Sequence, residues 1–384
     1  MTPTAHRTPH SAPVTPPKAP EQDQRFGKFF LPGPTEVRPE ILAAQTGPMI
    51  GHRGKAMVDL MADLQPGLQR LFRTQRPVYL AASSATGFME GAIRNCAMDR
   101  VLALVNGAFS DRFRKIAESN GLTVDALEVP WGQTHTPAMV ADKLRTGDFD
   151  AVTVVHSETS TGALNPIDEL AAVAHDAGDV VLLVDSVTGL AGAPVESDAW
   201  GLDFVLTGSQ KALALPPGMA LGVAQTSALE RARRKTSRGT YFDFLDFEKN
   251  VEKNQTPNTP PLSLLYALQA QLECIDREGV EGRWQRHEAM ARRTWQWVDA
   301  MNERGVALEV LAPPGGRSPT VTCIMLPESI PGPEVTAAML QSGYTIGGGY
   351  GKLKDSAFRI GHMGDHTLEE LESLLGHLEE VLVK

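Results

Sequence analysis

A chain of 384 residues with 42% hydrophobic and 21% charged residues is long enough for a large globular domain plus a smaller one. Its formal net charge of -10 argues against nucleic acid or an anionic membrane as the main partner. The longest apolar runs fall well short of the roughly 20 residues that span a bilayer. Cys96, Cys274 and Cys323 lie far apart without metal-ligand spacing, so no metal site and no disulfide framework is expected, and a reducing cytoplasm fits.

Residues 1–25 are Pro-rich, lack the apolar core of a signal peptide and read as a disordered tail. Order is expected from Phe26, with a turn at Pro32-Gly33-Pro34. Met57, Leu60, Met61, Leu64, Leu68 and Leu71 carry a helical period after Gly51-His52-Arg53-Gly54. Arg53 is open to two readings, a surface or capping arginine or an anion contact at the mouth of a site.

From Val78 short apolar runs alternate with helical patterns. Strands are expected at Val78–Ala82, Val101–Val105, Thr123–Val129, Ala151–Val155, Val180–Val184, Asp203–Thr207 and Met219–Ala224, with helices around 87–98, 109–120, 137–146 and 167–177. That alternation predicts an α/β fold with a mostly parallel seven-stranded sheet. Arg238 to Pro261 is polar and aromatic, and its segment Asn254 to Pro261 suits neither helix nor strand over much of its length, as in a loop serving a site or interface. A long helical region from about Ser263 to Asn302, broken near Gly279 to Gly282, leads into a smaller α+β domain with strands at Val306–Leu311, Thr320–Leu326 and Ala357–Ile360. The expected division is a large domain over 26–275 and a small C-terminal domain over 276–384. Cys323 falls in a strand and reads as core.

Two motifs carry chemistry. Val180-Val181-Leu182-Leu183-Val184 ends in Asp185, which is how a buried parallel strand delivers a carboxylate to its carboxyl edge. Gly208-Ser209-Gln210-Lys211 places a lone lysine just after the next strand. An acid and a lysine facing each other across that crevice suit pyridoxal 5'-phosphate: a neutral amine condenses with the aldehyde, and the carboxylate keeps the ring nitrogen protonated. Ser84, Ala85 and Thr86 follow the first strand and open a helix, leaving amides for an anion.

These motifs, with His156-Ser157-Glu158-Thr159-Ser160-Thr161-Gly162 and Phe358-Arg359-Ile360-Gly361, resemble class V aminotransferases of fold type I, in the alanine-glyoxylate, serine-glyoxylate and serine-pyruvate branch. The resemblance runs from about Phe30 to the C-terminus. It implies Lys211 as the Schiff-base lysine, Asp185 as partner of the pyridine nitrogen, and Val187 and Phe109 on the two ring faces. Phe109 stands where the family commonly has tryptophan. Ser84, Ala85, Thr86 and Gln210 would hold the phosphate, Thr159 would lie near the phenolic oxygen, and Arg359 would clamp the substrate α-carboxylate. Thr256 and Thr259 would reach the phosphate of a neighbouring subunit, so a homodimer with shared sites is implied, although Thr256 replaces the usual tyrosine.

The expected activity is ping-pong transfer of an amino group from alanine or serine to glyoxylate or pyruvate. Gly33 and Arg53 are the candidates for shaping substrate choice. A second cation at Arg53 would instead favour phosphoserine as donor. A lyase on the same fold, such as a cysteine desulfurase, and a noncatalytic interaction protein are the readings from other classes.

Overall fold

The computed structural model describes residues 28–383, so the expected tail at 1–25 lies outside the described residues. The first strand, β1 (Lys28–Phe30), is followed by helices Pro39–Ala44 and Lys55–Phe72. The large sheet then collects β2 (Tyr79–Ala81), β3 (Arg100–Val105), β4 (Thr123–Glu128), β5 (Ala151–Val155), and, after a hairpin of β6 (Ser157–Glu158) and β7 (Ala163–Leu164), β8 (Val181–Asp185), β9 (Phe204–Gly208) and β10 (Ala220–Ala224). Its strand order is β2-β10-β9-β8-β5-β3-β4. All neighbours are parallel except β10, which runs antiparallel to both β2 and β9. This is the expected mostly parallel seven-stranded sheet.

Period-two alternation splits each strand between two cores. Leu182 and Val184 of β8 join Leu102, Leu104, Val152 and Val154 on one face. Val181 and Leu183 join Val101, Ala151 and Phe204 on the other. Both faces are covered by helices, so the strands read as continuous apolar runs rather than alternating ones. Asp185 ends that run, and its position past the last apolar pair brings a carboxylate to the sheet's carboxyl edge.

The small sheet has the order β1-β13-β14-β12-β11, where β11 is Glu309–Val310, β12 Thr322–Met325, β13 Tyr344–Gly348 and β14 Ala357–Ile360. β1 pairs parallel with β13, so the N-terminal strand crosses over to the sheet built by the C-terminal part of the chain. β13 was not expected from the sequence, because the glycines at 347–349 thin out its apolar pattern. Cys323 sits buried in β12, as expected. The long helical region divides into Leu262–Glu278 and Val280–Glu303 at Gly279, which holds φ at 80°, a left-handed value glycine adopts without steric cost. Within the polar stretch, Phe244–Val251 forms a helix that the sequence reading left unassigned; Asp243 caps it by accepting from the Leu245 amide at 3.0 Å.

Candidate active site

β8 and β9 lie side by side, and the last residue of β8, Asp185, and the turn after β9, which carries Lys211, meet at one edge of the sheet. Both side chains line a cavity of about 460 Å³ together with Gly33, Ser84, Ala85, Thr86, Phe109, Thr159, Val187 and Gln210. Ten of the residues expected from the sequence therefore meet at one place.

Asp185 is buried, and its Oδ1 accepts from the Val187 amide at 2.8 Å. Burial pushes its carboxyl up to about 7. With no cation in contact, the charged form lacks full compensation, and a protonated ring nitrogen brought beside it would stabilise it. Lys211 is also buried and donates from Nζ to the Pro32 carbonyl. Burial, aided by the charge of Arg359, brings its amine down to about 8. A lysine near 8 has a substantial neutral fraction close to physiological pH, which nucleophilic and general-base roles require.

The turn before Lys211 requires glycine opposite it. Gly33 has φ of 108°, and a Cβ there would stand 2.4 Å from Cδ, Cε and Nζ of Lys211. Ser84 is the N-cap of helix Ala85–Cys96 but makes no side-chain capping bond. Its hydroxyl and the amides of Ala85 and Thr86 are the donor set for an anion, while the Gly87 amide is taken by Ser84 O at 2.9 Å.

Phe109 lies in the first turn of helix Ala108–Ser119, and that turn is held by Glu158, a residue to which no local sequence pattern gives a role. Glu158 is fully buried and accepts from Ser110 N at 2.9 Å, Ser110 Oγ at 3.0 Å, Phe109 N at 3.2 Å and Ser160 Oγ at 2.6 Å. A carboxylate at a helix N-terminus is favoured by the dipole and the free amides. Its approach also explains Gly107, where a Cβ would lie 2.4 Å from Glu158 Cγ and Cδ. Arg112, one turn on, lines the cavity and packs over the Phe109 ring at 4.7 Å. It has no hydrogen bond or ion pair among the described residues. Nothing in its spacing distinguished it from the other cations of that helix.

Arg359, at the centre of β14, stands just beyond this lining. Its Nε donates to Gly348 O at 2.9 Å and Nη1 to Thr159 O at 3.0 Å, and its guanidinium lies 5.4 Å from the Tyr350 ring centre. These partners are neutral carbonyls, so the positive charge is held in place, and among the described residues it has no ion pair and Nη2 has no hydrogen bond.

Three expected residues are not in this group. Arg53 donates to the carbonyls of Thr256 at 2.6 Å and Pro257 at 2.9 Å. Thr256 is buried and turns its hydroxyl to Asn258 O, while Thr259 is exposed. Within one chain these residues form a separate cluster outside the Lys211 cavity.

Residues 89–331 match the family model described as aminotransferase class V. The chain belongs to the class V aminotransferases. An aminotransferase of uncharacterised activity from Methanocaldococcus jannaschii is 39% identical over 92% of this chain and 92% of its own. A serine-glyoxylate aminotransferase from Methylorubrum extorquens is 33% identical, covering 91% of this chain and 88% of its own. Among solved structures, an alanine-glyoxylate aminotransferase from Nostoc superposes with a TM-score of 0.87 at 29% identity, over 97% of this chain and 98% of that one. The protein is an aminotransferase, and its architecture is that of fold type I. No helix among the described residues is long and apolar enough to cross a membrane.

The cysteines bear on the lyase alternative. Cys96 and Cys274 lie in helices and Cys323 in a strand, with burial pushing the Cys323 thiol up to about 12. None is an activated thiol on a loop, which persulfide chemistry requires.

Proposed function

We propose that this aminotransferase uses pyridoxal 5'-phosphate, held in the Lys211 cavity, to move an amino group from alanine or serine to glyoxylate or pyruvate. The observation that carries the proposal is the meeting of a buried lysine with a lowered pKa and a buried, incompletely compensated carboxylate in one cavity floored by a helix N-terminus. The residues fit the cofactor. Ser84, Ala85, Thr86 and Gln210 supply donors for its phosphate, Phe109 and Val187 apolar walls for its ring, Thr159 a hydroxyl for its phenolic oxygen, and Asp185 an acceptor for its ring nitrogen.

When bound, the cofactor supplies an aldehyde that condenses with amines and a ring that takes up the electrons left when the substrate α-carbon loses its proton. Asp185 keeps a negative charge at the ring nitrogen, where positive charge must persist. With the cofactor bound, Lys211 Nζ would serve as the base that takes the proton from the substrate α-carbon and as the acid that gives it back. Arg359 orients the substrate by donating to its α-carboxylate from the guanidinium edge away from Gly348 and Thr159. The same charge adds to burial in bringing the Lys211 amine down to about 8, so the residue that binds substrate also raises the neutral fraction of the base.

Thr256 and Thr259 are assigned to the partner subunit's phosphate in a homodimer. Their place outside this chain's own cavity, on a loop that Arg53 holds at Thr256 and Pro257, supports a role in trans. Arg53 then braces that loop through two carbonyls and leaves the substrate side chain alone. Arg112 supports a second reading for the donor. An unpaired guanidinium at the cavity wall suits an amino acid whose side chain ends in a carboxylate or phosphate.

The test is a donor and acceptor panel on the holoenzyme, with alanine, serine, aspartate and phosphoserine against glyoxylate and pyruvate. Lys211→Ala is expected to abolish turnover and the cofactor's visible absorbance. Retention of either would reject the assignment. Preference for the acidic donors, lost in Arg112→Ala, would replace the first reading by the second.

A further inference from the structure

The lysine and the carboxylate-binding arginine belong to different sheets, and their relative placement must be held to a fraction of an ångström for the α-hydrogen to face the amine. The main chain joins them through the end of β1 and the segment after it, where Gly361 N donates to Phe30 O at 2.8 Å and Thr35 N to Gln210 O at 3.0 Å. A buried arginine that touches neither the cavity nor the substrate adds a side-chain bridge between the same two parts.

Arg283, on helix Val280–Glu303, is 1% exposed. Its Nη2 donates at 2.7 Å to the carbonyl of Ala212, the residue next to Lys211. Its Nη1 donates at 2.8 Å to Asp365 Oδ1, on the loop that leaves β14 after Arg359. One planar fork therefore bridges the lysine turn and the arginine strand's exit. Asp365 is fixed from the other side by Gln271 Nε2, 3.1 Å from each oxygen, and by Arg38 at 3.4 Å. One turn along the helix His287 holds the same loop, accepting from the Gly364 amide at 3.0 Å. Between the two partners of Arg283 runs the segment after β1: Thr35 N donates to Gln210 O at 3.0 Å, and Thr35 Oγ1 to Met363 O at 3.2 Å. The packing there has little slack, since a Cβ on Gly364 would sit 3.2 Å from that of Ala214.

We propose that Arg283 is a positioning residue, which registers the Lys211 turn against the Arg359 strand by bridging Ala212 O and Asp365. The proposal rests on the assignment of Lys211 to the cofactor and Arg359 to the substrate carboxylate. A stability role alone would be met by any residue that filled the space and neutralised Asp365. Registration needs the fork, because a lysine ammonium is a compact charge on a flexible stem and does not fix the two partners in one plane at a set separation.

The experiment compares wild type with Arg283→Lys and Asp365→Asn as holoenzymes. Three quantities are read: cofactor dissociation constant, thermal midpoint, and the rate of the first half-reaction with alanine in stopped flow across donor concentrations. Arg283→Lys is expected to keep the fold and to bind cofactor within twofold of wild type, because the donors of helix Ala85–Cys96 do not touch Arg283. Its half-reaction rate at saturating donor is expected to fall roughly ten- to a hundredfold. Asp365→Asn is expected to fall in the same direction by less, since Arg283 keeps Ala212. Wild-type rates in Arg283→Lys, or a loss confined to cofactor affinity or to the thermal midpoint, overturn the proposal. If neither variant folds, the pair is a folding element and the proposal fails. Absence of the cofactor band in the wild type would instead overturn the assignment of Lys211, which separates the two failures.

Discussion

Replacing Lys211 by methionine in the cofactor-free protein probes the electrostatics of the cavity. The amine stands at about 8 in the folded chain against an ordinary 10.5, through burial and the charge of Arg359. For a lysine whose pKa is depressed on folding, the charged amine is disfavoured in the native state. Below about pH 8 both states carry the proton and the penalty is full; between 8 and 10.5 the unfolded state binds more protons, so stability rises with pH. The change from 10.5 to about 8 corresponds to about 3 kcal/mol. Methionine keeps most of the side-chain length and removes the titration. Lys211→Met is therefore expected to gain on wild type most at pH 8 and to lose that advantage, by up to about 3 kcal/mol, as pH approaches 10.5. Loss of the bond to Pro32 adds a roughly constant offset of about 1 kcal/mol, so the slope is the quantity to read. Urea unfolding of both proteins at intervals across that window, followed by circular dichroism, measures it. A difference that stays flat with pH would refute the reasoning, because a lysine with its ordinary pKa titrates alike in both states.

Three other substitutions test the site from different sides. Gly33→Ala puts a methyl 2.4 Å from the Lys211 amine at a φ of 108°; turnover is expected to fall by about a hundredfold or more, with a cost of about 1–2 kcal/mol for the left-handed backbone, read by steady-state kinetics and denaturant midpoints. Glu158→Gln removes the buried charge that holds Phe109 and Ser110 and is expected to cost about 2 kcal/mol and to weaken cofactor retention on dialysis; unchanged midpoints would show that the helix end holds Phe109 unaided. Arg359→Lys keeps the charge and loses the two-pronged geometry, so kcat/KM for the amino donor should drop by about tenfold to a hundredfold, with visible absorbance preserved.

How far the sequence could be read depended on the range of the interaction behind each feature. Strand β5 falls at Ala151–Val155 as its β-branched run predicts, and β8 ends in Asp185 because a strand covered on both faces must be apolar until it leaves the sheet. Lys211 and Ser84 could be picked out as candidates because each lies in a short motif beside a strand end, whereas Arg359 was named through the family resemblance of Phe358-Arg359-Ile360-Gly361. β13 and the helix Phe244–Val251 were not, since glycines blur the first and a polar, aromatic-rich surround hides the second.

Sequence alone thus determined the fold class and the family, and it named Asp185 and Lys211, which the structure brings into one cavity. Tertiary structure decided what no local pattern encodes: that Arg53 braces the Thr256 loop, that Glu158 holds the Phe109 helix, that Arg112 is left unpaired, and that Arg283 reaches Ala212 and Asp365 at once. Those contacts join residues 48 to 203 positions apart. A charged side chain on a helix offers the same sequence signal whether it ends in water or on a buried carbonyl, and only the folded chain decides which partner comes within reach.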